Sequence, residues 1–237
     1  GSDDKRTVPI AKQDNYFARE HDLVDSFVVM YSGNMGRCHD IDTLFEAACL
    51  LKDEPILFVC IGGGAKRDGL IDAVTKRELR NFRFLPYQEK DVLPYSLTAS
   101  DVSLVSVADG MESLVAPSKL YPAMATGRPI AAICPSSSYL RELLHSAAGG
   151  AAFDNGDADA LAAYIRYLSQ DAAAVKRLGD SGRSYMQAHF TPELISRQYL
   201  KVIKQASDPT LKLTAESISG PVSGSVSEGI SKRTSHS

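Results

Sequence analysis

The chain has 237 residues, with 26 Lys+Arg against 29 Asp+Glu, a formal net charge of −3 and 44% hydrophobic residues. This is the composition of a globular domain, not of a disordered or fibrous chain. The charge balance excludes a general nucleic-acid binder, which needs a basic face to release counterions, and no apolar run reaches the ~20 residues of a membrane span.

The elements follow in chain order. Gly1-Ser2 reads as a cloning remnant, and residues 1–26 are polar with no strong strand or helix, as in the end of an interdomain linker. Phe27–Tyr31 is a continuous apolar run that predicts a buried parallel strand, closed by Ser32-Gly33-Asn34-Met35-Gly36. Ile41, Leu44, Phe45, Ala48 and Leu51 then share one helical face. Ile56–Ile61 is a second buried strand, ending in Gly62-Gly63-Gly64 before a charged helix at roughly 66–79. Strands at Phe82–Leu85, Val102–Val107, Ile130–Cys134 and Gly150–Phe153 alternate with helices at Val92–Ala99, Lys119–Thr126 and Tyr139–Ala147. Asp157 caps the first of three closing helices, the others being at roughly 172–189 and 192–206. Short loops between repeated βα units predict an α/β fold. It is a Rossmann-like, doubly wound, parallel six-stranded sheet in the order 3-2-1-4-5-6. Residues 27–206 form that domain, and residues 207–237, rich in Ser and Gly, read as a flexible tail.

Ligands of such sheets bind beyond the carboxyl ends of the strands. Three loops there suit an anion. Gly33, Gly36 and Arg37 follow strand one, where bare backbone and a guanidinium can meet a phosphate. Lys66 and Arg67 follow the triple glycine, and cations in a first helical turn oppose the macrodipole unless an anion sits there. Ser118 fits a helix cap and Lys119 the first helical position after strand four. Each has a plainer reading: a strand-to-helix turn, solvated charges or a simple cap. The loops match neither GxGxxG nor GxxxxGK[ST], no GxSxG elbow occurs, and the histidines lack metal spacing. The four cysteines (Cys38, Cys49, Cys60 and Cys134) form no CxxC pair, which predicts reduced thiols in a cytosolic setting.

Three segments carry a family resemblance: Tyr31-Ser-Gly-Asn-Met-Gly-Arg37, Pro117-Ser-Lys-Leu-Tyr121 and Ala123-Met-Ala-Thr-Gly-Arg-Pro129. Together they resemble the C-terminal, nucleotide-sugar-binding domain of GT-B glycosyltransferases of the retaining family 4 group. Within it they look most like the branch that builds capsule and O-antigen polysaccharides, including N-acetylfucosaminyl-type transferases. The likeness runs from about Phe27 to Ile203.

The resemblance implies retaining, metal-independent transfer from a nucleoside-diphosphate sugar, usually UDP-linked, with no resident cofactor. It places Gly33, Gly36 and Arg37 by the diphosphate, with Lys66 or Arg67 countering its charge. Leu85 and Pro86 would contact the base, and Ser118 and Lys119 would hold the phosphate. Arg37 and Lys119 would act as the catalytic cations that stabilise the leaving diphosphate. Of the family's two Glu, the second, which binds the ribose, falls at Pro122 here; the first falls at Leu114, and Glu112, the nearest carboxylate, is the catalytic candidate in its place. The implied partners are the sugar donor, a missing N-terminal acceptor domain and a lipid-linked acceptor at a membrane surface. The implied location is cytoplasmic, peripheral at the inner membrane face, and this chain alone would transfer nothing. Two alternatives stay open on the residues: a GT-B-fold sugar-nucleotide epimerase, and a non-catalytic nucleotide-binding or interaction domain.

Overall fold

The apolar runs become the strands of one sheet, and the amphipathic segments between them become its covering helices. The computed structural model of the protein describes residues 8–114, 120–190 and Glu193. Strands β1 (Phe27–Ser32), β2 (Ile56–Ile61), β3 (Phe82–Leu85), β4 (Val102–Ser106), β5 (Ile130–Ile133) and β6 (Gly150–Phe153) pair in parallel in the order β3-β2-β1-β4-β5-β6. That is the predicted order, and the sheet direction reverses between β1 and β4. Apart from Glu193, the predicted helix at 192–206 and the tail at 207–237 lie outside the described residues.

Strand alternation sends Val29 and Tyr31 to one face and Val28 and Met30 to the other. The first face packs against α2 (Ile41–Leu50), α3 (Arg67–Lys76) and α7 (Ala158–Ser169). The second is covered by α4 (Leu93–Thr98), α5 (Leu120–Ala125) and α6 (Tyr139–Ala147), with α8 (Ala172–His189) packed on α5 and α6. Cys60 and Cys134 are buried free thiols, and burial pushes Cys60 up to about 12.

The amino-terminal segment differs from the sequence expectation. Residues 1–26 predict no helix, yet Lys12–Asp14 forms a 3-10 turn and Tyr16–Glu20 forms helix α1. Phe17, Ala18 and Leu23 are fully buried against Val28, Met30 and Ala99, so this stretch is part of the domain core. Its anchor is Asn15, itself fully buried. Asn15 Oδ1 caps α1 by accepting from Phe17 N at 3.0 Å, while Nδ2 donates to Tyr95 O at 2.8 Å and Thr98 Oγ1 at 3.1 Å on α4. Nearby, Lys12 Nζ pairs with Asp101 Oδ2 at 2.7 Å, and the same oxygen accepts from Val28 N at 2.7 Å. A segment this short shows no apolar periodicity, and its central anchor is a polar residue. Both facts hide it in the sequence.

Asn15→Ala removes a cap and leaves the buried Tyr95 carbonyl without this donor. It is expected to cost about 2–4 kcal/mol of stability. A lowered urea midpoint with an unchanged m-value is the result to look for.

Candidate functional site

The loops after β1 and β2 are joined backbone to backbone. Gly33 N donates to Ile61 O at 2.9 Å, Met35 N to Gly63 O at 2.7 Å, and Lys66 N to Met35 O at 2.8 Å. This contact leaves no room for side chains. A Cβ on Gly62 would lie 2.1 Å from Gly33 O, and one on Gly64 would lie 2.3 Å from Asn34 Oδ1. Both glycines also hold positive φ, at 131° and 128°. Gly62 and Gly64 therefore serve loop-to-loop packing. Met35, fully buried, plugs the first loop into the core. Tyr31 Oη donates to Asn34 O at 2.6 Å, and burial raises this phenol well above its usual range, so it stays a donor. His39 Nδ1 lies 3.0 Å from Ser106 O, which ties the same loop to β4.

Beside this rim a cleft of about 330 Å³ opens at the carboxyl ends of β1 and β4, where the strand order reverses. Its lining includes Gly33 from the loop after β1, Tyr87 and Gln88 from the loop after β3, and Pro122 and Ala123 from α5. Its floor is apolar, from Met30 and Ile61 across to Leu104. A smaller recess of about 60 Å³, lined by Gly33, Asn34 and His39 among others, adjoins it at Gly33.

The structure distributes the sequence-predicted residues unevenly. Gly33 lines the cleft. Gly36 is buried and Arg37 exposed in the same loop, Arg37 without an ion pair among the described residues. Lys66 points elsewhere: its Nζ donates to His39 O at 2.5 Å, and it borders a groove between α2 and α3. Arg67 places its guanidinium 6.0 Å from the Phe84 ring centroid. Leu85 packs on the core and accepts from Gly62 N at 3.0 Å, and Pro86 O accepts from Gln88 Nε2 at 2.8 Å. Neither residue lines the cleft; the next two in the chain do. Glu112 stands in a 3-10 turn (Glu112–Leu114) outside the cleft lining. Its carboxyl is held below the usual carboxylate range by its own backbone N–H, then by Ser137 Oγ, which donates at 2.9 Å, and by Gly110 N–H. Ser118 and Lys119 lie outside the described residues.

Sequence reasoning missed Tyr87. Its side chain is 62% exposed, yet the ring lies over the Gly62-Gly63 backbone, 3.1 and 3.3 Å from where Cβ atoms would stand. A lone aromatic in a polar loop just past a strand end was the available signal.

Residues 12–185 match the family described as glycosyl transferases group 1. The chain belongs to that family. WcaI of Escherichia coli (strain K12), which carries the name of a colanic acid biosynthesis glycosyl transferase, is 30% identical over 178 residues. The match covers 75% of this chain and 43% of WcaI. The crystal structure of Anabaena Alr3699/HepE in complex with UDP and glucose aligns with a TM-score of 0.72 at 16% identity, covering 86% of this chain and 55% of that one. The crystallised C-terminal domain of LpcC, a glycosyl transferase group 1 family protein from Francisella tularensis, aligns with a TM-score of 0.65 at 17% identity. It covers 81% of this chain and 100% of the LpcC domain. The chain thus spans about half the length of WcaI and HepE, and its sheet is a Rossmann-like unit of the GT-B fold.

Two glycine substitutions separate the loop contact from ordinary helix chemistry. Gly62→Ala, strained in φ and clashing with Gly33 O, is expected to lose about 2–4 kcal/mol. Gly69→Ala, in α3 with open space around its Cβ site, is expected to gain about 0.4–1 kcal/mol. Paired urea melts read both.

Proposed function

We propose that this chain is the donor-binding half of a glycosyltransferase. The observation that carries the reading is the cleft at the β1/β4 reversal, the position where doubly wound sheets take their ligands. A nucleoside diphosphate sugar binds there, with the nucleoside in the cleft and the diphosphate at the loop of Gly33, Gly36 and Arg37. Tyr87 offers an exposed ring for a base to stack on, and the Arg37 guanidinium provides two parallel donors for phosphate oxygens. UDP is the first candidate, supported by the UDP complex of HepE.

Transfer proceeds with retention and without a metal. Positive charge from Arg37 and Lys119 stabilises the leaving diphosphate, and Ser118 helps to hold it. A second domain supplies the acceptor site, which fits a chain that spans 43% of WcaI. The product class is a cell-surface polysaccharide or glycolipid built on a lipid-linked acceptor, a reading supported by the name of WcaI. Among the described residues no helix is long and apolar enough to cross a membrane, which suits a peripheral association. An epimerase would need acid and base groups in the cleft, and its described lining holds no carboxylate or histidine.

Calorimetric titration of the chain with UDP, GDP, ADP and NAD tests this. Saturable UDP binding that weakens with salt, with NAD inert, is the expected result. Arg37→Ala should weaken UDP binding by about 1.5–3 kcal/mol, roughly ten- to hundredfold. Absence of binding by all four nucleotides, or an unchanged affinity in Arg37→Ala, would overturn the assignment.

A further inference from the structure

The three residues that follow Arg37 are held from several elements at once. Cys38 O accepts from Ala108 N at 2.8 Å, just past β4. His39 O accepts from Lys66 Nζ at 2.5 Å, and His39 Nδ1, which faces a carbonyl oxygen, donates to Ser106 O at 3.0 Å. Asp40 N donates to Ser106 Oγ at 3.2 Å. The Asp40 carboxylate caps α2: Oδ1 accepts from Thr43 N at 2.9 Å, and Oδ2 accepts from Thr43 Oγ1 at 2.7 Å. The same Oδ2 accepts from Asn155 Nδ2 at 2.8 Å. Asn155 stands in the turn between β6 and α7. Its Nδ2 also donates to Val107 O at 2.9 Å, and the neighbouring Gly156 N donates to Thr43 Oγ1 at 2.8 Å. One amide group therefore ties the loops after β1, β4 and β6 together.

This tie carries a cost, because Asn155 Oδ1 is buried without a hydrogen-bond partner. Turning the amide over would set Oδ1 against Asp40 Oδ2 and Val107 O, two groups that only accept. The amide is thus fixed in one orientation, with both Nδ2 hydrogens spent on the tie.

We propose that Asn155 is a positioning residue of the donor site. By holding Asp40 it sets the backbone that leaves Arg37, and so the place from which the Arg37 guanidinium reaches the diphosphate. The inference rests on the donor-binding function proposed above. A forked guanidinium tolerates little misplacement against phosphate oxygens, and groups behind the contact must hold it in place. Through Asn155 the edge strand β6 takes part in the site without touching the ligand.

The test uses the 237-residue chain unaltered and as Asn155→Ala, Arg37→Ala and the double variant, at a temperature where all four are folded. UDP affinity is read by calorimetry, and amide hydrogen exchange of residues 38–43 is read without ligand. Asn155→Ala should raise exchange over residues 38–43 at least fivefold while β2 is unchanged, and should weaken UDP binding about three- to tenfold. In the Arg37→Ala background the same substitution should cost less than twofold, because it acts through Arg37. A residue that only stabilised its own turn would lower the melting temperature and leave no such coupling. Unchanged exchange, UDP affinity within twofold of the unaltered protein, or an equal loss with and without Arg37 overturns the inference while the donor-site reading stands. If UDP does not bind the unaltered chain, or Arg37→Ala binds it equally well, the donor-site reading falls and this inference with it. Should Asn155→Ala not fold, Asn155→Ser, which keeps a donor for only one of the two acceptors, goes through the same cycle with the same criteria.

Discussion

The structure depends on one backbone contact, the joining of the loops after β1 and β2. The parallel ladder does not stop where the strands end. It runs on through Gly33 N to Ile61 O, Met35 N to Gly63 O and Lys66 N to Met35 O. Such a contact exists only where Cβ atoms are missing, and Gly62 and Gly64 supply that. The result is a rim braced by backbone contacts rather than by side chains. Gly33 is thereby fixed in the cleft lining, and Arg37 is left exposed beyond it.

The two ends of the sheet divide the work. At the amino ends of the strands, buried polar anchors close the domain: Asn15 between α1 and α4, Lys12 with Asp101, and Arg128 Nη2, which donates to Ile10 O at 2.8 Å and Thr98 O at 3.1 Å. Arg128 Nε alone in this set is buried without a hydrogen-bond partner. At the carboxyl ends the loops after β1 and β2 are glycine-rich, and the cleft lies there. The buried polar anchors thus lie at one end of the sheet and the cleft at the other, the end where doubly wound sheets take their ligands.

Most of the fold was legible in the sequence because β1, β2 and β5 are nearly continuous apolar runs and the other strands are short segments bounded by turn residues. Ile56–Ile61, Phe82–Leu85 and Gly150–Phe153 match the predicted limits, and the strand order follows from short right-handed crossovers. The helix at Tyr16–Glu20 was not legible, because five residues carry no period and the residue that anchors it is an asparagine. The site was legible as a set of loops but not as a set of contacts. The sequence shows that Lys66 and Arg67 follow glycines; only the fold brings one to the His39 carbonyl and the other to Phe84. In the same way a carboxylate near the site, Glu112, turns out to hold its own turn together. Tyr87 gains meaning only from the bare backbone beneath it.

The most direct measurement is a crystal structure of this chain with UDP. The account predicts the nucleoside between Tyr87 and Pro122, and the diphosphate at the Gly33–Arg37 loop within hydrogen-bond distance of the Arg37 guanidinium. Density for the diphosphate in the groove between α2 and α3, beside Lys66 and Gly69, with the cleft at β1 and β4 empty, would contradict it.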